Sequence, residues 1–130
     1  MKIEVAAKGL IIQNGKYLAL ERKKGSNFEL PGGRLEFGET LEETLIREIK
    51  EETNLNVLPK KVIATWNFVS QEECWQITGV VYLCEIKDVQ IEVCLSDEHE
   101  DYRWVDLADT TCLNWFWKPI MDKWDWDELK

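Results

Sequence analysis

Three glutamates in the middle of the chain have the type and spacing of metal ligands. Glu48, Glu51 and Glu52 lie three and four residues apart, so in a helix they project from one face. The apolar residues Leu45 and Ile49 mark a neighbouring face, which must contact a core. Glu48 and Glu52 are therefore expected at the edge of the core, where the repulsion of like charges and desolvation both raise the free energy. Such a cluster requires a cation.

The kind of cation follows from the ligands. Carboxylate oxygens with no His or Cys beside them in the sequence favour hard divalent ions, and Mg²⁺ commonly takes one or two carboxylates together with phosphates and water. The turn Pro31-Gly32-Gly33 comes before the helix and permits a close backbone approach, so that a carbonyl can join the ligands. This combination predicts metal-assisted attack of water on a phosphate linkage.

A solvated acidic helix face is the alternative interpretation. Arg47 has Glu43 four residues before it and Glu51 four residues after it, which are ordinary helical ion pairs. Glutamate is also a good helix former. The helix taken alone favours this interpretation, because charge patterns of this kind are common.

The complete spacing reverses that preference. The sequence has Gly33, five residues, Glu39, seven residues, and then the run Arg47-Glu48-Ile49-Lys50-Glu51-Glu52-Thr53-Asn54-Leu55. This pattern resembles the Nudix box, the signature of the Nudix hydrolases. The one departure is Asn54, where the family pattern has glycine. Asparagine also tolerates the left-handed conformation that ends many helices, so the end of the helix is expected to survive.

The resemblance implies a fold class and a reaction. The fold would be α/β, a Nudix-type α/β/α sandwich with a mixed β-sheet between helices, in a single Nudix hydrolase domain over residues 1–130. The reaction would be hydrolysis of a nucleoside diphosphate linked to another moiety, and a MutT-like pyrophosphohydrolase of nucleoside triphosphates is the first choice. ADP-ribose, nucleotide sugars and dinucleoside polyphosphates are alternative substrates. A Nudix module that senses a nucleotide without cleaving it is an alternative function.

The resemblance also assigns metal ligands. Glu51 and Glu52 would be the principal ligands of Mg²⁺, with Mn²⁺ as a possible substitute. Glu48 would be a further ligand or the general base, and the carbonyl of Gly32 would complete the protein's contribution. Which glutamate serves as the base differs among relatives, so Glu48 and Glu52 both stay candidates for a catalytic role.

Other residues would position the cluster or contact the substrate. Glu39 and Arg47 would hold the acidic side chains in register, and Arg47 would lower the pKa of neighbouring carboxyls. Arg22, Phe28 and Gly33 are the predicted substrate contacts, for phosphate, for a base and for a close backbone approach. A solvated hairpin end is the alternative for Arg22, and a place in the core is the alternative for Phe28.

An acidic loop, residues 96–101, comes before the segment Tyr102-Arg103-Trp104-Val105. This order resembles the Nudix pattern in which a glutamate-bearing loop precedes an Arg-Trp-Val strand. In many relatives such a glutamate assists metal binding or acts as a base. Glu98 or Glu100 would take that place, and Glu98 is preferred; a solvated turn is the alternative.

Composition restricts the partners. The chain has 130 residues, a net charge of −9 and no cluster of Lys or Arg, so we expect no binding to duplex nucleic acid. A small nucleotide is compatible with this charge, because a bound metal offsets it. The N-terminus lacks the apolar segment of a signal peptide, and no apolar run approaches the roughly 20 residues of a membrane helix. These features predict a cytoplasmic protein without membrane contact.

The cysteines and the histidine give no sign of a zinc site. The four cysteines form no Cys-x-x-Cys pair, and the chain has one histidine. In a cytoplasmic protein the cysteines are expected to be reduced and mostly buried.

The elements that position the site follow from the apolar pattern. Residues 3–13 and 17–22 are predicted to form antiparallel strands joined at Asn14-Gly15, and residues 57–69 and 74–86 to form two more strands. Thr40 is the predicted N-cap of the acidic helix. Residues 89–95 are either a further strand or an irregular edge.

Aromatic residues are frequent in the second half of the chain. Residues 113–124 are predicted to form a helix with Pro119 in its first turns. One face of that helix would be a stripe for the core or for a homodimer contact, formed by Trp117, Met121 and Trp124. The possible stacking surfaces for a base, which could equally be core residues, are Phe28, Trp66, Phe68 and Trp75.

Overall fold

The computed structural model describes residues 1–89 and 91–130. Over these ranges the chain forms seven strands and two helices. In chain order they are β1 (Lys2–Gln13), β2 (Lys16–Glu21), β3 (Phe28–Glu29), β4 (Gly32–Arg34), α1 (Leu41–Thr53), β5 (Val57–Ser70), β6 (Trp75–Ile86), β7 (Asp101–Asp106) and α2 (Trp117–Met121). Within the described ranges, no helix is long and apolar enough to cross a membrane.

β1 is the central strand of a mixed sheet. It runs parallel to β6 and antiparallel to β4 and β2, while β5 adds to the outer edge of β6 in the antiparallel sense. On the other side, β2 pairs with both β3 and β7. Parallel and antiparallel pairs therefore occur in one sheet, which confirms the predicted mixed architecture.

The predicted hairpin between β1 and β2 is confirmed. Asn14 and Gly15 form the turn, and both have positive φ, 52° and 75°. These are the left-handed conformations that an Asn-Gly hairpin turn requires. The two extended segments that follow α1 are also confirmed, as β5 and β6.

The sheet has a helix on each face. Alternate residues of β1 point to opposite sides: Ala7 and Ile11 pack with Leu45 and Ile49 of α1. Leu10 faces the other way, toward the core cluster that contains α2. The predicted arrangement of a mixed sheet between helices is confirmed.

The C-terminal helix is shorter than the sequence predicted. Only Trp117–Met121 is helical. The helix starts late because the backbone just before it pairs with β3: Phe28 N donates to Cys112 O and Asn114 N donates to Phe28 O, both at 2.9 Å. A backbone held in this extended pairing cannot also make helical hydrogen bonds. Trp117 and Met121 are buried in the core, so this part of the stripe stabilises the fold, and the homodimer stays a prediction.

The segment 89–95 is irregular where the structure describes it; Gln90 lies outside the described residues. Its backbone is used at the end of α1. Cys94 N donates to Thr53 O at 2.9 Å, and the next amide but one, Ser96 N, donates to Glu52 O at 3.2 Å. These bonds satisfy carbonyls that the end of a helix leaves open. They also bring the acidic loop next to the glutamate helix.

The cysteines are less buried than expected. Cys84 is buried and Cys112 is half-buried, but Cys74 and Cys94 are exposed, and all four are free. The expectation of mostly buried cysteines is wrong for two of them, because Cys74 lies in the turn between β5 and β6 and Cys94 lies in the irregular segment.

Candidate active site

The acidic side chains are carried by α1, whose two ends are fixed by local hydrogen bonds. Thr40 Oγ1 accepts from Glu43 N at 3.1 Å and Glu43 Oε1 accepts from Thr40 N at 2.9 Å, which is a capping box. At the other end Asn54 has a φ of 68°, and its N–H donates to Lys50 O at 2.9 Å. Thr40 is therefore the N-cap as predicted, and asparagine adopts the left-handed conformation that ends the helix.

A tight glycine bend faces the helix. Gly32 has a φ of 135°, and a Cβ there would lie 2.2 Å from the carbonyl oxygen of Ala7 on β1. At Gly33 a Cβ would lie 2.3 Å from the carboxyl carbon of Glu48. Since real side chains do not approach so closely, the first glycine permits the pairing of β4 with β1. The second leaves room for the carboxylate of Glu48.

Glu52 is joined directly to this bend. Gly32 N donates to Glu52 Oε1 at 2.8 Å, and Glu52 is only 3% exposed. Burial raises the pKa of Glu52 to about 7, although the ammonium of Lys8 and the hydrogen bond from Gly32 act in the opposite direction. A carboxylate in such a place gains strongly from a cation.

Lys8 is a site residue that sequence reasoning missed. Its Nζ donates to Leu30 O at 3.3 Å and to Gly32 O at 3.4 Å. The carbonyl predicted to bind metal therefore already accepts a hydrogen bond from a positive charge. The available signal was a lysine in the interior of the apolar strand β1; the structure pairs this residue with Gly32.

Arg47 links the remaining carboxylates. Its Nε and Nη2 donate to the two oxygens of Glu39, at 2.7 and 2.9 Å, which is the paired geometry that makes such bonds strong. Nη1 donates to Glu48 Oε1 at 2.9 Å and to Glu51 Oε2 at 3.5 Å. Nη2 also reaches Arg34 O in β4, at 3.2 Å. One guanidinium thus gathers three acidic side chains and ties them to the strand of the glycine bend.

Arg47 was expected to lower the pKa of neighbouring carboxyls, and it does so for Glu39. The hydrogen bonds from Arg47 lower the pKa of Glu39 to about 2, and those from Glu39 raise the pKa of Arg47. Glu39 therefore stays ionised at every physiological pH, and it keeps Arg47 in place.

The predicted metal ligands lie together. Glu48 rests on Gly33, Glu52 is hydrogen-bonded to Gly32, and Glu51 joins them through Arg47. Glu51 is the most exposed of the three, with 59% of its side-chain surface accessible. Carboxylate and carbonyl oxygens are the donors that Mg²⁺ and Mn²⁺ prefer, so the residues present fit a hard divalent ion.

The acidic loop, residues 96–101, places two further side chains near Glu52. Glu98, Glu52 and His99 each offer a ligand atom, and these atoms lie within 4.8 Å of one another. Glu100 is directed elsewhere, because its Oε2 accepts from Lys24 N at 2.9 Å. This arrangement is consistent with the preference for Glu98. His99 is a second residue at the site that was not predicted.

The two predicted side-chain contacts to substrate differ in position. Arg22 pairs with Glu29, with its Nε 2.9 Å from Oε1. Although partial burial acts against it, this pairing raises the pKa of Arg22, and the charges of Glu52 and Glu98 add to the rise. Arg22 is therefore within electrostatic reach of the site.

Phe28 belongs to the core. Its residue surface is only 5% exposed, it packs in the core cluster that contains α2, and the guanidinium of Arg103 lies 4.6 Å from its ring centroid. Because the ring has no free face, the prediction that it stacks on a base is corrected, and its alternative as a core residue is supported.

An aromatic pocket opens beside the glycine bend. Its volume is about 240 Å³, and we call it the aromatic pocket. Lys8 lines it at the end near Gly32, and Trp115 is its most exposed wall, with 74% of its surface accessible. The other aromatic side chains that line it are Trp66, Phe68, Trp75, Phe116 and Trp117. Of the stacking candidates found in the sequence, three line this pocket and Phe28 does not.

The fold and the site together define a class. A mixed sheet between helices, with an acidic helix behind a glycine bend, is the architecture expected of a Nudix domain. A family model described as NUDIX domain matches residues 3–125. The chain belongs to the Nudix hydrolase family, and the predicted family is confirmed. Nudix hydrolases act on nucleoside diphosphates linked to another moiety and generally use divalent metal ions.

Individual relatives belong to the same family and are named for different activities. The chain is 33% identical over 107 residues to an ADP-ribose pyrophosphatase of Methanocaldococcus jannaschii, a match that covers 79% of this chain and 62% of that protein. It is 31% identical over 106 residues to a mouse asymmetrical bis(5'-nucleosyl)-tetraphosphatase, covering 78% of this chain and 71% of that protein.

A solved structure has the same fold over nearly the whole chain. The MutT protein from Methanosarcina mazei superposes with a TM-score of 0.81 at 27% identity, covering 99% of this chain and 97% of that one. The predicted Nudix-type fold is confirmed by this similarity.

Proposed function

We propose that this chain is one Nudix domain that hydrolyses nucleoside triphosphates to a nucleoside monophosphate and pyrophosphate, with Mg²⁺ or, in its place, Mn²⁺. The observation that carries the proposal is the continuity of two sites. Lys8 lines the aromatic pocket, and its Nζ contacts the carbonyl of Gly32 in the bend that faces the glutamates. A ligand with an aromatic base at one end and phosphates at the other suits both.

The size of the pocket supports a single base. Pockets that hold drug-sized molecules measure roughly 300–1,000 Å³, and the aromatic pocket, at about 240 Å³, is smaller. Phe68 lies between Trp75 and Trp115, with ring centroids 5.7 and 6.1 Å away, so the walls are aromatic on several sides. Stacking on such walls tolerates any base, because every base has a π-face.

The acidic residues would hold the metal. Its protein ligands would be the carboxylates of Glu48, Glu51 and Glu52 and the carbonyl of Gly32. The proposal is supported by the position of these oxygen atoms around the glycine bend. When bound, a divalent ion neutralises charge on the phosphates and lowers the pKa of a coordinated water. Glu39 and Arg47 would act as positioning residues, since their paired hydrogen bonds fix the helix face that carries the ligands.

The remaining groups would serve proton transfer and phosphate binding. Glu98 is exposed and close to Glu52, so it can accept the proton of the attacking water as a general base. Lys8 and Arg22 would donate hydrogen bonds to phosphate oxygens as the transition state gains charge. The bond that forms joins the water oxygen to phosphorus, and the bond that breaks is the phosphoanhydride bond to the leaving pyrophosphate.

A second candidate function is supported by the relatives. ADP-ribose and dinucleoside tetraphosphates also combine a base with a chain of phosphates, and proteins named for these substrates are 31–33% identical to this chain. Unlike a nucleoside triphosphate, ADP-ribose carries a ribose beyond its phosphates, and a dinucleoside tetraphosphate carries a second nucleoside there.

A panel of nucleotides distinguishes these candidates. Nucleoside triphosphates, ADP-ribose and dinucleoside tetraphosphates would each be incubated with Mg²⁺, and with EDTA as the control. Pyrophosphate release from a triphosphate supports the first proposal, whereas ribose phosphate or nucleoside triphosphate as product identifies the second. The absence of metal-dependent cleavage of every compound would contradict both.

The role of the aromatic pocket is tested at its exposed wall. Trp115→Ala is expected to raise KM between about fivefold and a hundredfold, since stacking on one aromatic residue contributes roughly 1–3 kcal/mol. The value of kcat should change much less, because the lost contact is made equally in the ground state and the transition state. Trp115→Phe is the matched control and should retain most of the affinity. An unchanged KM for the alanine variant would remove this pocket from the substrate site.

A further inference from the structure

The single histidine of the chain has an unsatisfied nitrogen at the acidic site. His99 is 5% exposed, and its side chain is 1% accessible. Among the described residues, its Nδ1 has no hydrogen-bond partner. The carboxylate oxygen Oε2 of Glu52 lies 3.7 Å from this nitrogen. A buried polar atom without a partner is costly, so this one calls for a ligand.

The distances fit a shared cation better than a hydrogen bond. A separation of 3.7 Å exceeds the usual N–H···O range of about 2.7–3.2 Å. Nitrogen and oxygen ligands lie about 2.0–2.2 Å from a divalent transition metal, so two ligands of one ion can be up to about 4.2 Å apart. The carboxylate of Glu98 is within 4.8 Å of both groups and is exposed, so it has freedom to adjust.

The loop that carries His99 is fixed to the glutamate helix. Ser96 N donates to Glu52 O at 3.2 Å, and Ser96 O in turn accepts from His99 N at 3.3 Å. Ser96 Oγ also accepts from Glu98 N at 3.4 Å. Ser96 therefore attaches the backbone of Glu98 and His99 to the backbone of Glu52.

We infer that Glu52, Glu98 and His99 form a second cation position, which shares Glu52 with the position at Glu48 and Glu51 and has the imidazole Nδ1 as a direct ligand. Glu98 gives one carboxylate oxygen to this ion, and its other oxygen stays available to accept a proton. Imidazole is a ligand for first-row transition metals rather than for Mg²⁺. Of the two ions proposed for the reaction, Mn²⁺ is the transition metal, so this position takes Mn²⁺ in preference to Mg²⁺. The inference rests on the proposed metal-dependent hydrolysis and refines it. The sequence argument for Mg²⁺ assumed that no histidine was near the carboxylates, and the fold brings one there.

Pulsed electron paramagnetic resonance of bound Mn²⁺ tests this directly. The metal-free protein would be titrated with Mn²⁺ until binding is complete, and electron spin echo modulation would be recorded. We expect the modulation of a directly coordinated ¹⁴N. Because the chain has one histidine, growth with ¹⁵N-histidine should replace this signal by that of ¹⁵N without any substitution. Saturated Mn²⁺ without coordinated nitrogen, or a ¹⁴N signal that ¹⁵N-histidine leaves unchanged, would overturn the inference.

A substitution gives a second readout. His99→Gln is expected to lower Mn²⁺ affinity at this position about tenfold or more, as changes at metal ligands and their supports commonly do. Mg²⁺ affinity should change less, and equal losses for both ions would argue against nitrogen ligation. Bound Mn²⁺ that lacks nitrogen coupling would overturn only this position. A failure to bind any Mn²⁺ would contradict the proposed function as well.

Discussion

At the scale of single residues, Glu52 shows how the fold maintains a carboxyl that is poised for metal. Burial raises its pKa to about 7, and the charges of Glu48 and Glu29 raise it further. Lys8 and the N–H of Gly32 act against this rise. The buried imidazole of His99 lies on its other side. Without metal, the protonated form is therefore stabilised in the folded protein relative to the unfolded chain.

This balance predicts how stability depends on pH. Because the pKa of Glu52 rises from 4.5 to about 7 on folding, its contribution to the free energy of unfolding is fully present below pH 4.5 and is lost as the pH rises through 7. The upper bound of the loss is about 3 kcal/mol. It would be measured by denaturant unfolding in EDTA at pH 5 and pH 8, as the difference between the wild type and Glu52→Gln.

The glutamine variant is the control, since its side chain keeps the acceptor for Gly32 N and cannot ionise. Burial lowers the pKa of His99, so His99 contributes the opposite slope in both proteins. Excess Mg²⁺ should restore the stability of the wild type at pH 8. Identical pH dependence of the two proteins would contradict the assigned shift.

The glutamates of the helix and Arg47 were predictable from sequence, whereas Lys8 and His99 were not. Glu48, Glu51 and Glu52 are related by the geometry of one helix, so their spacing alone places them together. Lys8 and His99 reach the same site through strand pairing and through a loop that bonds to the helix end. Such contacts depend on residues far apart in the chain, and no local pattern encodes them.

At the scale of elements, α1 depends on its end at Asn54. The family pattern has glycine at this position, and the asparagine adopts a φ of 68°. Its backbone N–H and carbonyl bond to Lys50 O and Lys50 Nζ, at 2.9 and 3.2 Å. The backbone conformation, rather than a side-chain contact, is therefore the requirement at this position.

Substitutions at Asn54 test this requirement. Asn54→Ala is expected to lower the free energy of unfolding by about 1 kcal/mol, because left-handed backbone is costly for residues with a Cβ. Asn54→Gly should stay within about 0.5 kcal/mol of the wild type, since glycine adopts this conformation freely. Thermal and denaturant unfolding measure both, and kcat should be unchanged. A glycine variant as destabilised as the alanine variant would show that the asparagine side chain matters.

The limits of sequence reasoning at this scale are clearest in the tail. Residues 113–116 were predicted to be helical, but the backbone at Cys112 and Asn114 pairs with Phe28. That pairing also buries Phe28 and removes it from the predicted substrate contacts. Strands β5 and β6 and the acidic helix were predictable, because periodicity and caps are local signals.

At the scale of the whole molecule, the site exists because the sheet joins three distant segments. β1 holds the glycine bend in place through its pairing with β4. Side chains of β1 also pack in the core cluster that contains α2. The bend holds Glu52 through Gly32, and the end of the helix holds the acidic loop. The net charge of −9 makes a divalent cation the natural partner for a phosphate substrate in this molecule.

One measurement tests the central claim most directly: the rate of metal-dependent cleavage of the best nucleotide of the panel by wild type, Glu52→Gln and Glu42→Gln, at saturating Mg²⁺. Glu42 is exposed in the first turn of the same helix and is the matched control for loss of one charge. We expect Glu52→Gln to lose roughly a hundredfold or more of the turnover, in line with the loss of a metal ligand. Glu42→Gln should be near wild type. Near-normal turnover by Glu52→Gln would contradict the claim that this buried carboxylate binds the catalytic metal.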